Sequence, residues 1–298
     1  MSPTYILTIL LGGLRLGSVY AIVAIGYSMV YGILKLINFA HGDIMTLGVY
    51  AILVLMNSLG IPIPITIILS MAIAVAVGLL VERLAYRPLR SASEETTLIS
   101  SLAVSTLLQN LLMMLFTAQR QSFLLPEWFT RSHQIGPFTL STINLLTFAV
   151  TIVALVALSI IIKKTKIGIA LRACSENLNA AKLMGINVNK VVMFTFALGS
   201  ALAVLAGLML AGEYKTVYPT LGFIPSLKAF CAAVIGGIGS LGGSVLGGLL
   251  IGVGEMMFAG LMPPTMTNYR DAFVFLLMMV VLLFRPNGLF GSKEGGRS

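Results

Sequence analysis

Few side chains in this chain can do chemistry, and the most suggestive fall in two places. Asn38, His41 and Asp43 stand together in INFAHGDIM, and Glu255 interrupts the apolar run GGLLIGVGEMMF. Groups of these types bind protons, ions or polar solutes. In an apolar setting each must find a partner or water, because an unsatisfied polar group in hydrocarbon is costly. The trio lies at a turn-to-helix junction, with Gly42 permitting close approach, and it either caps a helix or lines a polar path. Glu255 is likewise either paired with a neighbouring helix or part of such a path. Gly237 and Gly239, in GGIGSLGGS, join these candidates as points where a helix can break.

No catalytic machinery is encoded. The sequence has no HExxH zinc motif, no GxSxG elbow and no Walker A pattern, and its two histidines, His41 and His133, are far apart. The glycines near Gly239 lack the Lys-Ser/Thr of a phosphate-binding loop. No catalytic residue, metal site or cofactor is expected. Any uphill movement of a solute has to draw on an ion gradient or on another subunit.

The elements that position these residues follow from composition. Of 298 residues 58% are hydrophobic and 10% charged, with a mean hydropathy of +1.00; soluble domains carry roughly 25% charged residues. That pattern predicts an all-α polytopic membrane protein, one membrane domain over residues 1–298, whose apolar runs suit helices of ~20 residues. The net charge of +9 reflects basic residues gathered on the cytoplasmic side and requires no nucleic acid. Cys174 and Cys231 lie in unlike surroundings, so both are expected to be unpaired and inert.

The runs place spans at about Tyr5–Ile33, Ile37–Met56, Ile63–Val81, Thr96–Thr117, Thr142–Ile162, Asn187–Ala211 and Ala272–Phe284. Arg15 is expected to snorkel to the interface, Thr96 or Thr97 to cap the fourth span, and Asn187 or Asn189 the sixth. The N-terminus lacks the basic region of a secretory signal, so it is expected to stay as part of the first span, starting outside. The Gly-rich region Lys228–Gly260 sharpens the count. A single crossing there would put the basic tail Arg285, Lys293 and Arg297 outside, whereas the uncharged FAGLMPPTMTN suits an outer loop. Both fit if this region is a re-entrant or broken-helix hairpin. The expectation is seven to eight membrane helices plus that hairpin, with the C-terminus cytoplasmic.

One island is soluble in character: Lys163–Lys190, with six Lys/Arg against the single acid Glu176. That charge marks a cytoplasmic loop. Ser175 is a good N-cap, Glu176 suits the first turn of a helix, and Gly185 is a natural stop. One short helix outside the membrane, presenting the small Ala180 and Ala181, is either a docking surface or an ordered loop.

Three stretches taken together resemble one family: GLRLGSVYAIVAIGYSMVYGILKLINFAHGD (Gly13–Asp43), RACSENLNAAKLMGINVNKV (Arg172–Val191) and AAVIGGIGSLGGSVLGGLLIG (Ala232–Gly252). They are similar, in that order, to the LivH-type permease of branched-chain amino acid ABC importers, a family that also includes urea and short-amide transporters. The resemblance implies that Ser175, Glu176, Asn177, Ala180, Ala181, Lys182 and Gly185 belong to a coupling helix seated in a partner ATPase. It further implies a LivM-type second permease, two ATPases that use ATP, and a periplasmic solute-binding protein, all assembled at the bacterial inner membrane. It does not say which residues touch solute. The rival class is an autonomous ion-coupled carrier dependent on Glu255.

Overall fold

The computed structural model describes residues 3–90, 92–135 and 138–290. Lys293 and Arg297 of the basic tail lie outside the described residues. The architecture is all-α. The helix α1 (Pro3–Leu34) is followed by α2 (His41–Asn57), α3 (Ile63–Val81) with a π-helical turn (Glu82–Tyr86), and α4 (Glu94–Phe116). A loop on one face carries β1 (Gln121–Ser122), the single turn α5 (Glu127–Thr130) and the hairpin β2 (Ser132–Ile135) and β3 (Phe138–Ser141). Next come α6 (Thr142–Lys164), the short α7 (Lys166–Glu176) and α8 (Leu178–Leu183), α9 (Val188–Tyr214) and β4 (Thr216–Val217), which pairs antiparallel with β1. The chain closes with α10 (Phe223–Gly236), α11 (Leu241–Leu261), a 3-10 turn (Thr267–Tyr269) and α12 (Arg270–Phe284). Among the described residues, seven helices are long and apolar enough to cross a membrane.

At the centre α1 packs on α11 through two glycine pairs spaced one turn apart, Gly13 and Gly17 against Gly248 and Gly252. A Cβ at Gly17 would lie 2.7 Å from the Leu249 Cα, and one at Gly248 2.6 Å from the Ala21 nitrogen. Backbones this close gain van der Waals contact where lipid supplies no hydrophobic drive. The density of glycine in the third stretch therefore has a packing cause.

Two helices are shorter than a span. At 1.5 Å per residue, α2 (17 residues) and α10 (14 residues) reach only about 25 and 21 Å, against a hydrocarbon core of ~30 Å. Both begin inside the protein. The His41 ring packs against Gly26, where a Cβ would stand 2.8 Å from its Nε2, about two turns before α1 ends. The segment before α10 reaches the same place. The Gly222 N–H donates to Thr46 Oγ1 at 2.9 Å, and Gly42 and Gly222 are too close for either to carry a side chain. Helix starts at this depth are tolerated only where protein or a polar cavity surrounds them.

The hairpin expected around the Gly-rich region is α10 and α11, with unequal arms. Its break, between Gly236 and Leu241, contains Gly237 (φ 97°) and Gly239 (φ 91°), conformations that a side chain would strain. The tail braces it: the Leu289 N–H donates to the Ile235 carbonyl at 2.8 Å and that of Phe290 to the Gly236 carbonyl at 3.1 Å.

Several local expectations are corrected. Ser93 caps α4, its hydroxyl accepting from the Thr96 N–H, so the helix starts earlier than Thr96 and gains Glu94 and Glu95 in its positive first turn. Arg15 does not snorkel alone; its Nη1 lies 2.6 Å from Glu213 Oε1 at the end of α9. Asn187, not Asn189, caps α9; Asn189 instead accepts from Arg90 Nη1 at 2.6 Å.

Candidate functional site

Glu255 is buried and paired. Its Oε1 accepts from Lys228 Nζ at 2.6 Å, and its Oε2 from the Tyr20 hydroxyl at 2.8 Å. Lys228, on α10, also lies 2.6 Å from Asp271 Oδ1 at the head of α12. Arg270 completes the cluster, its Nε 3.7 Å from Glu255 and 3.8 Å from Asp271. Side-chain exposure divides the four: 4% and 3% for Lys228 and Glu255, against 49% and 43% for Arg270 and Asp271. Two buried charges survive at this depth because each satisfies the other and Tyr20 takes up the remaining acceptor. The cluster lines a cavity of about 400 Å³ together with the apolar Leu221, Ile224 and Pro225 and with Arg120, Tyr214 and Tyr218. Two lining residues, Tyr214 and Thr216, put the cavity beside the end of α9 and the β1–β4 pairing.

The INFAHG trio stands elsewhere, at the junction of α1, α2, α4 and α10. No side chain caps α2. Asn38 Oδ1 accepts from the Tyr86 hydroxyl at 2.8 Å, and Asp43 Oδ1 from Gln109 Nε2 at 2.9 Å. The His41 ring meets that of Tyr27 edge-on at 4.9 Å, and Tyr27 in turn shares a 2.7 Å hydrogen bond with Ser226 on α10. His41 Nε2 and Asp43 Oδ2 have no hydrogen-bonded partner among the described residues. The trio and Glu255 are therefore linked through α10, which carries both Ser226 and Lys228, and through α1, which carries both Tyr27 and Tyr20.

The break and the elbow share the opposite face. The Gly239 N–H donates to Ser28 Oγ at 2.9 Å, and Gly239 lines a cavity of about 90 Å³ with Arg172 and Ser175. The elbow is two short helices rather than one. Thr165 caps the first, its hydroxyl accepting from the Gly168 N–H, and α7 runs through Ser175 to Glu176. Ser175 therefore does not cap; its hydroxyl donates back to the Arg172 carbonyl at 2.7 Å. The cap of α8 is Asn177, whose Oδ1 accepts from the N–H groups of Asn179 and Ala180 at 2.9 and 3.0 Å. Gly185 ends the motif at φ 81°. Ala181 is buried with Leu171 and Cys174 against Val30 of α1 and Val191 of α9, while Ala180 and Lys182 are exposed. Leu183 and Met184 stand out at 89% and 82% exposure, an apolar tip on an otherwise polar loop. Burial pushes the Cys174 thiol above its ordinary value.

Sequence reasoning missed Lys228, Arg270 and Asp271 as partners of Glu255. A signal existed: Lys228 is the only charge in FIPSLKAFCAAVIGG, and a lone lysine in an apolar helix asks for a carboxylate. It missed Leu183 and Met184 because adjacent apolar residues in a short helix read as buried.

Spanning-length helices, two helices that begin within the bundle, a charged cavity and an exposed elbow together define a multi-pass membrane permease. The chain belongs to the family described as branched-chain amino acid transport system / permease component, whose model matches residues 9–282. It is 38% identical over 296 residues to the high-affinity branched-chain amino acid transport system permease protein BraD of Pseudomonas aeruginosa, covering 96% of this chain and 95% of that protein. It is also 38% identical over 303 residues to the permease protein LivH of Salmonella typhimurium, covering 97% of each. The solved structure of PsaBC from Streptococcus pneumoniae in complex with Fab shares the fold, with a TM-score of 0.52 over 94% of this chain and 92% of that one at 15% identity.

Proposed function

We propose that this chain is the permease subunit of an ABC importer for branched-chain amino acids, forming one domain over residues 1–298 with a coupling loop at 163–190. It works in the bacterial inner membrane beside a LivM-type permease, two cytoplasmic ATPases and a periplasmic solute-binding protein. The observation that carries this reading is the 38% identity to BraD and LivH over nearly the whole chain. The chain itself is no enzyme and binds no cofactor; ATP is used by the partner ATPases.

Coupling falls to Ser175, Glu176, Asn177, Ala180, Lys182 and Gly185 on the elbow, with Ala181 anchoring it from beneath. Closure of the ATPases moves the elbow as a rigid body. Arg172 and Ser175 line one cavity with Gly239, which supports a movement of the elbow that reaches the break, α10 and, through Lys228, Glu255. Asn38, His41 and Asp43 act at the other end of α10, where its start meets that of α2.

The test is leucine uptake into proteoliposomes holding both permeases and both ATPases, with the binding protein outside and ATP inside. ATP-dependent leucine uptake that is lost without the ATPases is the expected result. Uptake by this chain alone, driven by a proton or sodium gradient and abolished by Glu255→Gln, would overturn it in favour of an autonomous carrier. Transport of urea or a short amide in place of leucine would move the solute to the family's other branch.

A further inference from the structure

We propose that the charged cavity is a head-group site for a zwitterionic solute, in which Arg270 and Asp271 take the solute's α-carboxylate and α-ammonium while Lys228 and Glu255 hold them in place. The proposal deepens the importer reading and rests on it. Four observations carry it. The first is charge balance: Lys228 and Arg270 oppose Glu255 and Asp271, so these four are neutral together, while the remaining cation of the lining, Arg120, is engaged over the Tyr218 ring at 4.8 Å. A neutral zwitterion enters without leaving a net charge behind, whereas a cation or anion does not; unbalanced charge at this depth is costly. Tyr20, which touches Glu255, stands near the middle of α1.

The second is the division of labour within the four. Lys228 and Glu255 are closed off and joined by a 2.6 Å hydrogen bond. Arg270 and Asp271 face the cavity and approach only to 3.8 Å, beyond hydrogen-bond distance. Arg270 is thus a positive charge held beside two carboxylates without being consumed by either. The third is an unused acceptor: Asp271 Oδ1 is buried against Lys228 Nζ at 2.6 Å, yet the side chain as a whole is 43% exposed, so its outer carboxylate oxygen is the accessible one and has no donor among the described residues. An ammonium group supplies the missing donor. The fourth is shape. The cavity is about 400 Å³, within the usual range of ~300–1,000 Å³ for small-molecule sites, and Leu221, Ile224 and Pro225 offer an aliphatic side chain an apolar wall beside the charges. Urea and short amides carry no charge and need no such quartet.

The experiment places a reporter cysteine in the cavity wall by Ile224→Cys in the complete importer in nanodiscs. Protection from a membrane-impermeant thiol reagent is then measured with leucine, with leucinamide (a cation) and with 4-methylpentanoate (an anion). Cys174 and Cys231 are buried at 1% and 2% exposure, so background labelling is low. The expected result is protection by leucine at concentrations at least about tenfold lower than by either analogue, the scale of one lost charged contact. Asp271→Asn, which leaves the cluster positive, shifts the preference toward 4-methylpentanoate, and Arg270→Gln, which leaves it negative, shifts it toward leucinamide. A merely structural role weakens all three ligands together. The proposal is overturned if the three protect alike, if none protects, if urea protects as well as leucine, or if the two variants leave the order unchanged. Normal ATP-driven leucine uptake alongside any of those outcomes removes the head-group site and leaves the importer reading standing; absent leucine uptake removes the importer reading itself.

Discussion

The charged cavity and the elbow hold their functional residues by opposite means. In the cavity, Lys228 and Glu255 are held by one another, and neither tolerates loss of its partner because both are almost wholly removed from solvent. In the elbow, Asn177 and Gly185 shape the backbone, and the side chains at the tip, Leu183 and Met184, touch little of their own protein. Structure and function are thus fused in the first region and separable in the second. Residues inside the bundle are held by its own packing, whereas the apolar tip is left exposed, as the proposed docking role requires.

The largest expected effect breaks the first half of this comparison. Lys228→Met leaves buried Glu255 with no counter-charge nearer than Arg270 Nε at 3.7 Å and costs about 3–5 kcal/mol, read as a lower melting temperature and poor recovery from detergent. The double variant Lys228→Met with Glu255→Gln recovers most of that stability while uptake stays lost. If the single variant is as stable as the parent, the pair is not what holds α10 to α11.

Next is the tip. Leu183→Asp with Met184→Asp is expected to weaken ATPase association by about 2 kcal/mol or more and to lower uptake in proportion. The melting temperature of the permease stays unchanged, since exposed substitutions fall within about 0.5 kcal/mol. Coupled uptake at the parental rate would remove the tip from the interface. Sharpening follows from the cap: Asn177→Ala costs about 1 kcal/mol of local stability, seen as faster amide exchange over α8, whereas Ser175→Ala leaves that exchange unaltered. Equal effects of the two would restore Ser175 as the cap. The smallest effect concerns Cys174. Because burial raises its thiol pKa, the thiolate fraction at neutral pH is low, so maleimide labelling of the native protein is slow and quickens as pH rises. Rapid labelling at neutral pH would mean that α7 does not rest on α1 and α9.

Much of the fold is legible in the sequence because lipid imposes a simple rule: long apolar runs must be helices. The runs beginning near Ile63 and Thr142 coincide with α3 and α6 almost to the residue. Glycine was equally direct, since the break at Gly237 and Gly239 needs positive φ that few other residues adopt. Less legible were choices between equivalent local signals. Ser175 and Asn177 are both good caps; Asn177 prevails because α7, nucleated at Thr165, continues past Ser175. Least legible were long-range pairings. Glu213 answers Arg15 and Lys228 answers Glu255 only once α1, α9, α10 and α11 are packed, and no sequence spacing encodes that. The depth at which α2 and α10 begin has the same origin, in the meeting of Gly42 and Gly222.

The brace that the tail lays across α10 bears on how the protein is made. The carbonyls of Ile235 and Gly236 receive their partners from Leu289 and Phe290, residues synthesised only after α11 and α12. While α11 and α12 are being synthesised, this short helix has neither the length to span the bilayer nor the cap that ends it. The hairpin therefore closes only after α12 has been made. A chain cut short just before Leu289 would keep every spanning helix and still leave the membrane insertion machinery with an unfinished one.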